Sequence, residues 1–268
     1  MASDWYAFRG FDPEMVRDAR AWYAQFLPSE GRILDIGCGR GEFLDVAAAA
    51  GLETHGVDLD GAMLAHAAAH HVVEAEALDF LQATPETFDV VSALHVIEHF
   101  PVEEGAALVR LGGSRLVPGG SLIVATPNPG SLPTIAHEFW KDPTHVRPYD
   151  VELLEFLCRD AGLEVQASGV NPTSARGLPV TLGDLDITED SSPERKAQPD
   201  EDRVTRWVGG RVARSRYAAD LEAALHAVSA ELRHTRDELT RVAAILRRAL
   251  EVAYEPSEIY VVARRPEE

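Results

Sequence analysis

The chain has 268 residues, with 25 Lys and Arg against 44 Asp and Glu, a formal net charge of −19. That acidity disfavours nucleic acid and anionic membranes as partners, because polyanions need Lys and Arg. Two cysteines, Cys38 and Cys158, are too few for a disulfide framework or a cysteine-rich metal centre. No apolar run reaches the ~18 residues of a membrane span. The first 14 residues have neither a basic start nor an apolar signal core. The expectation is a soluble protein of the reducing cytoplasm.

The charge is unevenly spread. Residues 1–183 hold 11 basic and 26 acidic groups, net −15. Residues 184–202 hold 2 and 8, net −6, and residues 203–268 hold 12 and 10, net +2. The middle stretch is rich in Asp, Glu, Ser and Pro and poor in apolar groups, so it reads as a flexible linker. The expected organisation is a core over 1–183, an acidic linker over 184–202, a helical insertion over 203–256, and a last strand with its tail over 257–268.

Along the chain, residues 32–36 (RILDI) read as a strand and 42–51 as a helix stopped by Gly51. Residues 54–58 read as a second strand, 61–71 as a helix and 72–75 as a third strand. Residues 88–94 (FDVVSAL) are a fourth strand and 102–116 a helix stopped by Pro118-Gly119-Gly120. Residues 121–125 are a fifth strand, 150–161 a helix closed by Gly162, and 163–170 a sixth strand. Apolar strands alternating with helices indicate an α/β chain with a doubly wound, mostly parallel sheet. Residues 258–263 (EIYVVA) read as one more strand, completing the sheet as an antiparallel edge. The helical stretch before it is then an insertion.

The sharpest local signal is Gly37-Cys38-Gly39-Arg40-Gly41 between the first strand and the first helix. Alternating glycines let a ligand approach the backbone closely and leave N–H groups facing it. A dinucleotide loop would carry its third glycine at position 42, which is Glu here and ill-suited to a pyrophosphate. The expected ligand is nucleoside-like and lacks phosphates. Asp58, at the end of the second strand, suits both ribose hydroxyls. Asp79 suits an adenine amino group, with Phe80 against the ring. For both acids, a helix N-cap is the plainer alternative.

ILDIGCGRGEFL, GVDLDGAML, EALDFLQ, FDVVSALHVIEHF and LVPGGSLIVATPNP occur in that order. The series resembles the successive motifs of class I S-adenosylmethionine-dependent methyltransferases over about residues 30–170. The resemblance implies S-adenosylmethionine as cofactor and a seven-stranded sheet with its last strand antiparallel. It also implies that Asp35, Gly37, Gly39 and Gly41 shape the methionine end of the site. Asp58 would hold the ribose, Asp79 and Phe80 the adenine, and Leu94 and His95 the pocket beside the sulfonium. Arg9 would meet the cofactor carboxylate; a solvated arginine is the alternative.

Phe8-Arg9-Gly10, CGRGEFL and Asp142-Pro143-Thr144-His145-Val146-Arg147-Pro148 are similar to a bacterial methyltransferase group associated with glycan assembly. That likeness implies a sugar or glycan hydroxyl as acceptor, free, nucleotide-linked or polymeric. A phenolic metabolite is the second expectation, and a catalytically silent cofactor-binding scaffold the third.

A sugar hydroxyl benefits from a general base, and His has the suitable pKa. His145 is the first candidate because it sits in a polar-aromatic loop after a strand, with Asp142 to orient it. A histidine that organises the loop through a backbone carbonyl is the alternative. Trp140 offers a face for stacking a sugar, and Asn128 and His99 are further acceptor-binding candidates. For Asn128 a turn role and for His99 a structural role stand beside that reading. His95 and His99 flank Glu98 without the HExxH order, so no metal is expected.

Near the C-terminus, Leu221, Leu225, Val228, Leu232, Thr235, Leu239, Val242, Leu246 and Ala249 fall at alternating steps of 4 and 3. Such a seam predicts a coiled coil, hence a homodimer or a coiled-coil partner. An amphipathic helix packed on its own domain is the alternative. Arg203, Arg206, Arg211, Arg214 and Arg216 precede it without an intervening acid, a patch suited to an anionic acceptor.

Overall fold

The computed structural model describes residues 8, 10, 12–174 and 216–267. Arg9, the segment 184–202 and the arginines at 203–214 lie outside the described residues. Those up to 174 and from 252 on belong to one compact unit, and 216–251 belong to a second.

The first unit opens with helix α1 (Pro13–Ala21), capped by Asp12, whose carboxylate accepts from the Glu14 N–H at 2.9 Å. Strand β1 (Arg32–Ile36) and helix α2 (Glu42–Ala49) flank the glycine loop. Strand β2 (Glu53–Asp58), helix α3 (Gly61–Leu64) and strand β3 (His71–Glu74) follow. Next come helix α4 (Ala77–Ala83), strand β4 (Phe88–Leu94), helix α5 (Val102–Ser114) and strand β5 (Leu116–Pro127). Helix α6 (Val151–Asp160) and strand β6 (Glu164–Val170) precede the long helix α7 (Arg216–Ala253) and strand β7 (Glu258–Arg264).

The seven strands form one sheet in the order β3-β2-β1-β4-β5-β7-β6. Strand β7 runs antiparallel to both its neighbours, β5 and β6, and every other pairing is parallel. Successive strand residues face opposite sides. Leu34, Val91 and Leu122 enter one buried cluster, and Ile33, Val90 and Ile123 the other. The sheet is thus covered on both faces, as near-continuous apolar strands require.

Three expectations need correction, and one helix was not expected. The strand at 258–264 is not an edge: it lies between β5 and β6. The helix expected over 61–71 lasts only through Leu64, and turns follow it. Its alanine-rich sequence favours helix, but the chain passes through turns over residues 65–70 before β3 pairs with β2 from His71 onward. Pro118-Gly119-Gly120 lies inside β5 rather than in a loop before it. Helix α4 went unread because its cap, Glu76, resembles any strand-terminal acid; its carboxylate accepts from the Leu78 N–H at 2.8 Å.

Among the described residues no helix is long and apolar enough to cross a membrane. Helix α7 carries Leu225, Val228, Leu232, Leu239, Val242 and Leu246, all exposed.

Candidate active site

Strands β1, β2 and β4 are parallel and end at the same edge. Ligands of doubly wound sheets bind in the crevice outside that edge. Just past β1, Gly37 and Gly39 take left-handed backbone, with φ of 65° and 55°, which glycine adopts without a Cβ penalty. The N–H groups of Gly37 and Cys38 donate to the Val57 carbonyl at 2.8 and 3.1 Å. The Gly39 N–H donates to Asp58 Oδ2 at 2.8 Å. These bonds fold the loop onto β2. Asp58 Oδ1 accepts from the Asp60 N–H at 2.9 Å. A carboxylate offers about four acceptor sites, so Asp58 retains capacity for a diol.

Gly37, Gly39 and Asp58 line one cleft with His95, His99 and Asp142. Its volume, about 370 Å³, falls within the ~300–1,000 Å³ of small-molecule sites. Glu76 and Ala77 also line it, whereas Asp79 is exposed and Phe80 packs against the core. The adenine-side acid is therefore better sought at Glu76, at the strand end, than at Asp79 on the helix. A Cβ on Gly39 would meet only Met63 Cε, at 3.8 Å, so the space over the loop is open. Gly41 is not in the cleft lining; it caps α2 with φ 86°, against Ala67 and His70. Leu94 lies in the core, and the wall beside it is His95.

Asp35 is buried below the loop and outside the cleft lining. Its Oδ1 accepts from Ser92 Oγ at 2.7 Å. Burial pushes its carboxyl up from 3.8 to about 7, against the Ser92 hydrogen bond. A raised carboxyl is protonated in the folded chain where the unfolded chain has lost its proton. Stability therefore falls as pH rises from 3.8 to about 7. Asp35→Asn is expected to melt higher than the parent above pH 7, by on the order of 1–3 kcal/mol, with the gap closing near pH 4. Thermal melts across that range check it; a gap that does not change with pH rules it out.

His95, with φ 61°, is the only non-glycine residue in left-handed backbone among the described residues. Its N–H is anchored to the Ala125 carbonyl at 2.8 Å. The reversal starts the short turn Ile97–His99, which buries Glu98 and leaves His99 on the cleft. His95 Nε2 pairs with Glu258 Oε2, and its Nδ1 stands 3.4 Å from Glu98 Oε1. Burial and the Arg20 charge push this imidazole down, but the two carboxylates outweigh them and hold it at about 9. Glu258 also accepts from Tyr23 Oη at 2.5 Å, Asn171 Nδ2 at 2.7 Å and Arg20 at 3.3 Å. Sequence reading missed this network, whose members lie on α1, on the turn that follows it, just past β4 and β6, and on β7.

The segment after β5 docks on the same turn. The N–H groups of Val146 and Arg147 donate to the Glu98 carbonyl at 2.8 and 3.3 Å. Tyr149 Oη donates to the carbonyls of Phe100 and Pro101, both at 3.0 Å. His145 thereby comes to lie against His99, ring centroids 4.9 Å apart. His145 is partly buried and is not in the cleft lining. Its Nδ1 donates to the Phe139 carbonyl at 2.7 Å, leaving Nε2 with its lone pair. Burial pushes this imidazole down, so it is neutral at physiological pH.

Asp142 is in the cleft lining, but its Oδ2 is 4.0 Å from His145 Nε2, too far for a hydrogen bond. The ring is therefore oriented by the Phe139 carbonyl rather than by Asp142. Asp142 Oδ1 instead receives the Thr144 N–H at 2.9 Å and the Thr144 hydroxyl at 2.5 Å. Trp140 is exposed and outside the cleft lining; its Nε1 donates to the Ile135 carbonyl at 2.7 Å. Asn128 is buried, donating to the Pro256 carbonyl and accepting from the Gly130 N–H, both at 2.8 Å. It organises a loop and is not in the cleft lining. No metal was expected, yet Glu98, His99 and His145 bring a carboxylate and two imidazoles together.

A methyltransferase-domain family matches residues 8–168, and the chain belongs to that family. The chain is 32% identical over 158 residues to the "Ubiquinone biosynthesis O-methyltransferase" of Pseudomonas paraeruginosa, covering 50% of this chain and 65% of that protein. It is 31% identical over 159 residues to the protein of that name from Nitrosococcus oceani, covering 50% and 64%. The chain thus spans just under two thirds of these two relatives. A crystal structure of an S-adenosylmethionine-dependent methyltransferase from Archaeoglobus fulgidus aligns over 97% of both chains, with TM-score 0.60 and 22% identity. Phosphoethanolamine N-methyltransferase 2 of Haemonchus contortus, solved with S-adenosylmethionine, aligns over 93% of this chain and 52% of that one, with TM-score 0.54 and 19% identity. These two structures speak for the fold alone.

Proposed function

We propose that the protein transfers a methyl group from S-adenosylmethionine to a hydroxyl of a small hydroxylated ring. One observation carries the reading: the glycine loop and Asp58 share a single cleft with His95 and His99. When bound, the cofactor supplies an electrophilic methyl group on a sulfonium. Asp58, held by the Gly39 N–H, takes the ribose diol. Glu76 and Ala77 flank the base, and the buried Val57 and Met63 exclude water. His99, backed by His145, receives the acceptor hydroxyl. An in-line displacement asks mainly for positioning, which these fixed groups provide.

The acceptor follows from two supports. The curated relatives are named for ubiquinone biosynthesis. Phe100, Pro143 and Val96 give the cleft apolar walls suited to a flat ring. A sugar or glycan hydroxyl is the second reading, favoured by the exposed Trp140 ring two residues before Asp142. Calorimetry with S-adenosylhomocysteine, then labelled methyl transfer into hydroxylated quinone precursors, nucleotide-sugars and glycans, tests both. Label in the ring compounds is expected. Label in sugars alone moves the acceptor to the second reading, and cofactor binding without transfer leaves a silent scaffold. Failure to bind the thioether defeats the reading altogether.

The exposed stripe on helix α7 supports pairing with the same helix of a second copy. Leu232→Asp with Leu239→Asp is then expected to turn a sedimenting dimer into a monomer. A parent protein that sediments as a monomer rules pairing out.

A further inference from the structure

We infer that the Tyr149–Gly105 contact determines acceptor specificity: it fixes the spacing of the two walls that receive the acceptor, and with it the size of ring the cleft admits. The inference rests on the methyl-transfer reading. Neither residue is in the cleft lining, so both act by positioning others.

The two walls come from different parts of the chain. One is the turn after β4, which carries His99 and Phe100; the other is Asp142, Pro143 and Thr144, and all five line the cleft. Residues 142–149 belong to no strand or helix, so the sheet does not hold the second wall. Its place depends on bonds that cross to the first. The N–H groups of Val146 and Arg147 reach the Glu98 carbonyl. His99 Nδ1 meets the Thr144 carbonyl and hydroxyl at 3.2 and 3.0 Å, at an exposed position where water competes. Tyr149 makes the buried crossing: the residue is fully buried, and its Oη faces the Phe100 and Pro101 carbonyls, both at 3.0 Å. Phe100 thus presents its side to the acceptor while its backbone is tied to the end of the opposite wall.

Gly105 is the second, independent observation. It lies within helix α5, where glycine is a poorer choice than alanine. Its φ is not in the left-handed region, so the backbone does not require glycine. Space does. A Cβ there would stand 2.2 Å from Tyr149 Oη, 2.9 Å from its Cζ and 3.2 Å from Ile97 Cγ1. The Gly105 N–H donates at 2.9 Å to the Pro101 carbonyl, one of the two that face the phenol. Burial pushes the Tyr149 phenol up from its ordinary value, so Oη keeps its proton and donates. The Arg147 guanidinium lies 4.9 Å from the ring centroid, a cation–π contact that holds the ring in place.

Tyr149→Phe removes the hydroxyl alone. The test is hydrogen exchange on the full chain, beside labelled methyl transfer into catechol and the bulkier 4-tert-butylcatechol. Amides over 142–149 are expected to exchange about tenfold faster, the worth of one hydrogen bond, with the glycine loop unchanged. The KM for catechol is expected to rise about tenfold, with kcat and S-adenosylhomocysteine affinity within a few-fold of the parent. The preference for catechol over the bulkier ring is expected to fall severalfold. Gly105→Ala is expected to act in the same direction, and the double variant to match the worse single change instead of multiplying the two. Unchanged exchange over 142–149 in Tyr149→Phe overturns the inference. So do an unchanged preference between the two rings, a loss of thioether affinity as large as the rise in KM, and effects that multiply. If Gly105→Ala does not fold, Tyr149→Phe carries the comparison, and if the parent labels neither ring, exchange decides alone. Because exchange needs neither cofactor nor acceptor, its failure is distinct from failure of the methyl-transfer reading.

Discussion

His145→Ala is expected to cut methyl transfer by about 10²-fold, the scale of misplacing a positioning group, while leaving S-adenosylhomocysteine affinity within a few-fold of the parent. The separation follows from geometry. His145 is outside the cleft lining and touches no residue of the glycine loop or Asp58 in any observed contact. It packs on His99, which does line the cleft, and on Phe139. Removing the ring leaves His99 without its neighbour, so the loss belongs in turnover rather than in cofactor binding. Asp142→Asn is expected to cost less, because its carboxylate stands 4.0 Å from His145 and chiefly holds Thr144. Single-turnover rates beside calorimetric affinities check both. Unchanged transfer by His145→Ala removes this residue from the reaction; lost thioether binding reassigns it to the fold.

The parts of the site that lie close together in sequence were legible, and those joined over distance were not. The alternating glycines and Asp58 are separated by one helix, and their spacing shows both the turn and the strand end it faces. Two acids, Glu76 and Asp79, follow the third strand, and of the two only Glu76 lines the cleft. Only the start of α4 at Ala77 decides between them, by leaving Glu76 at the strand end and carrying Asp79 onto an exposed turn. The joining of His145 to Glu98 depends on the bond from the Val146 N–H to the Glu98 carbonyl, and nothing in either segment alone predicts that register. The last strand reads as apolar and β-forming, so its existence was clear. Its place between β5 and β6 is a matter of pairing, which periodicity does not encode.

Glu258→Gln is expected to destabilise the fold by about 3–5 kcal/mol, the usual cost of removing one partner from a buried ion pair. Glu258 begins β7 and is buried where that strand meets α1 and the end of β4. It faces four donors: Arg20, Tyr23, His95 and Asn171. Glutamine keeps the shape and one acceptor oxygen. Its amide nitrogen must then face a donor, and both Arg20 and His95 lose their counter-charge. Burial alone would raise the Glu258 carboxyl, but His95 outweighs it, with help from Arg20 and Tyr23, and holds it near 2 rather than 4.5. A carboxyl lowered on folding contributes stability that is complete above pH 4.5 and lost as pH falls toward 2. The gap between parent and variant is therefore widest above pH 4.5 and narrows in acid. Urea unfolding at pH 7 and again near pH 3 measures it. An equal gap at both values shows that the loss comes from packing and not from the charge. The same variant also bears on the cleft, because Glu258 is the main support of the His95 charge beside the glycine loop. Weakened thioether binding by a still-folded Glu258→Gln chain thus identifies the last strand as a positioning element for the cofactor, reached from 163 residues away.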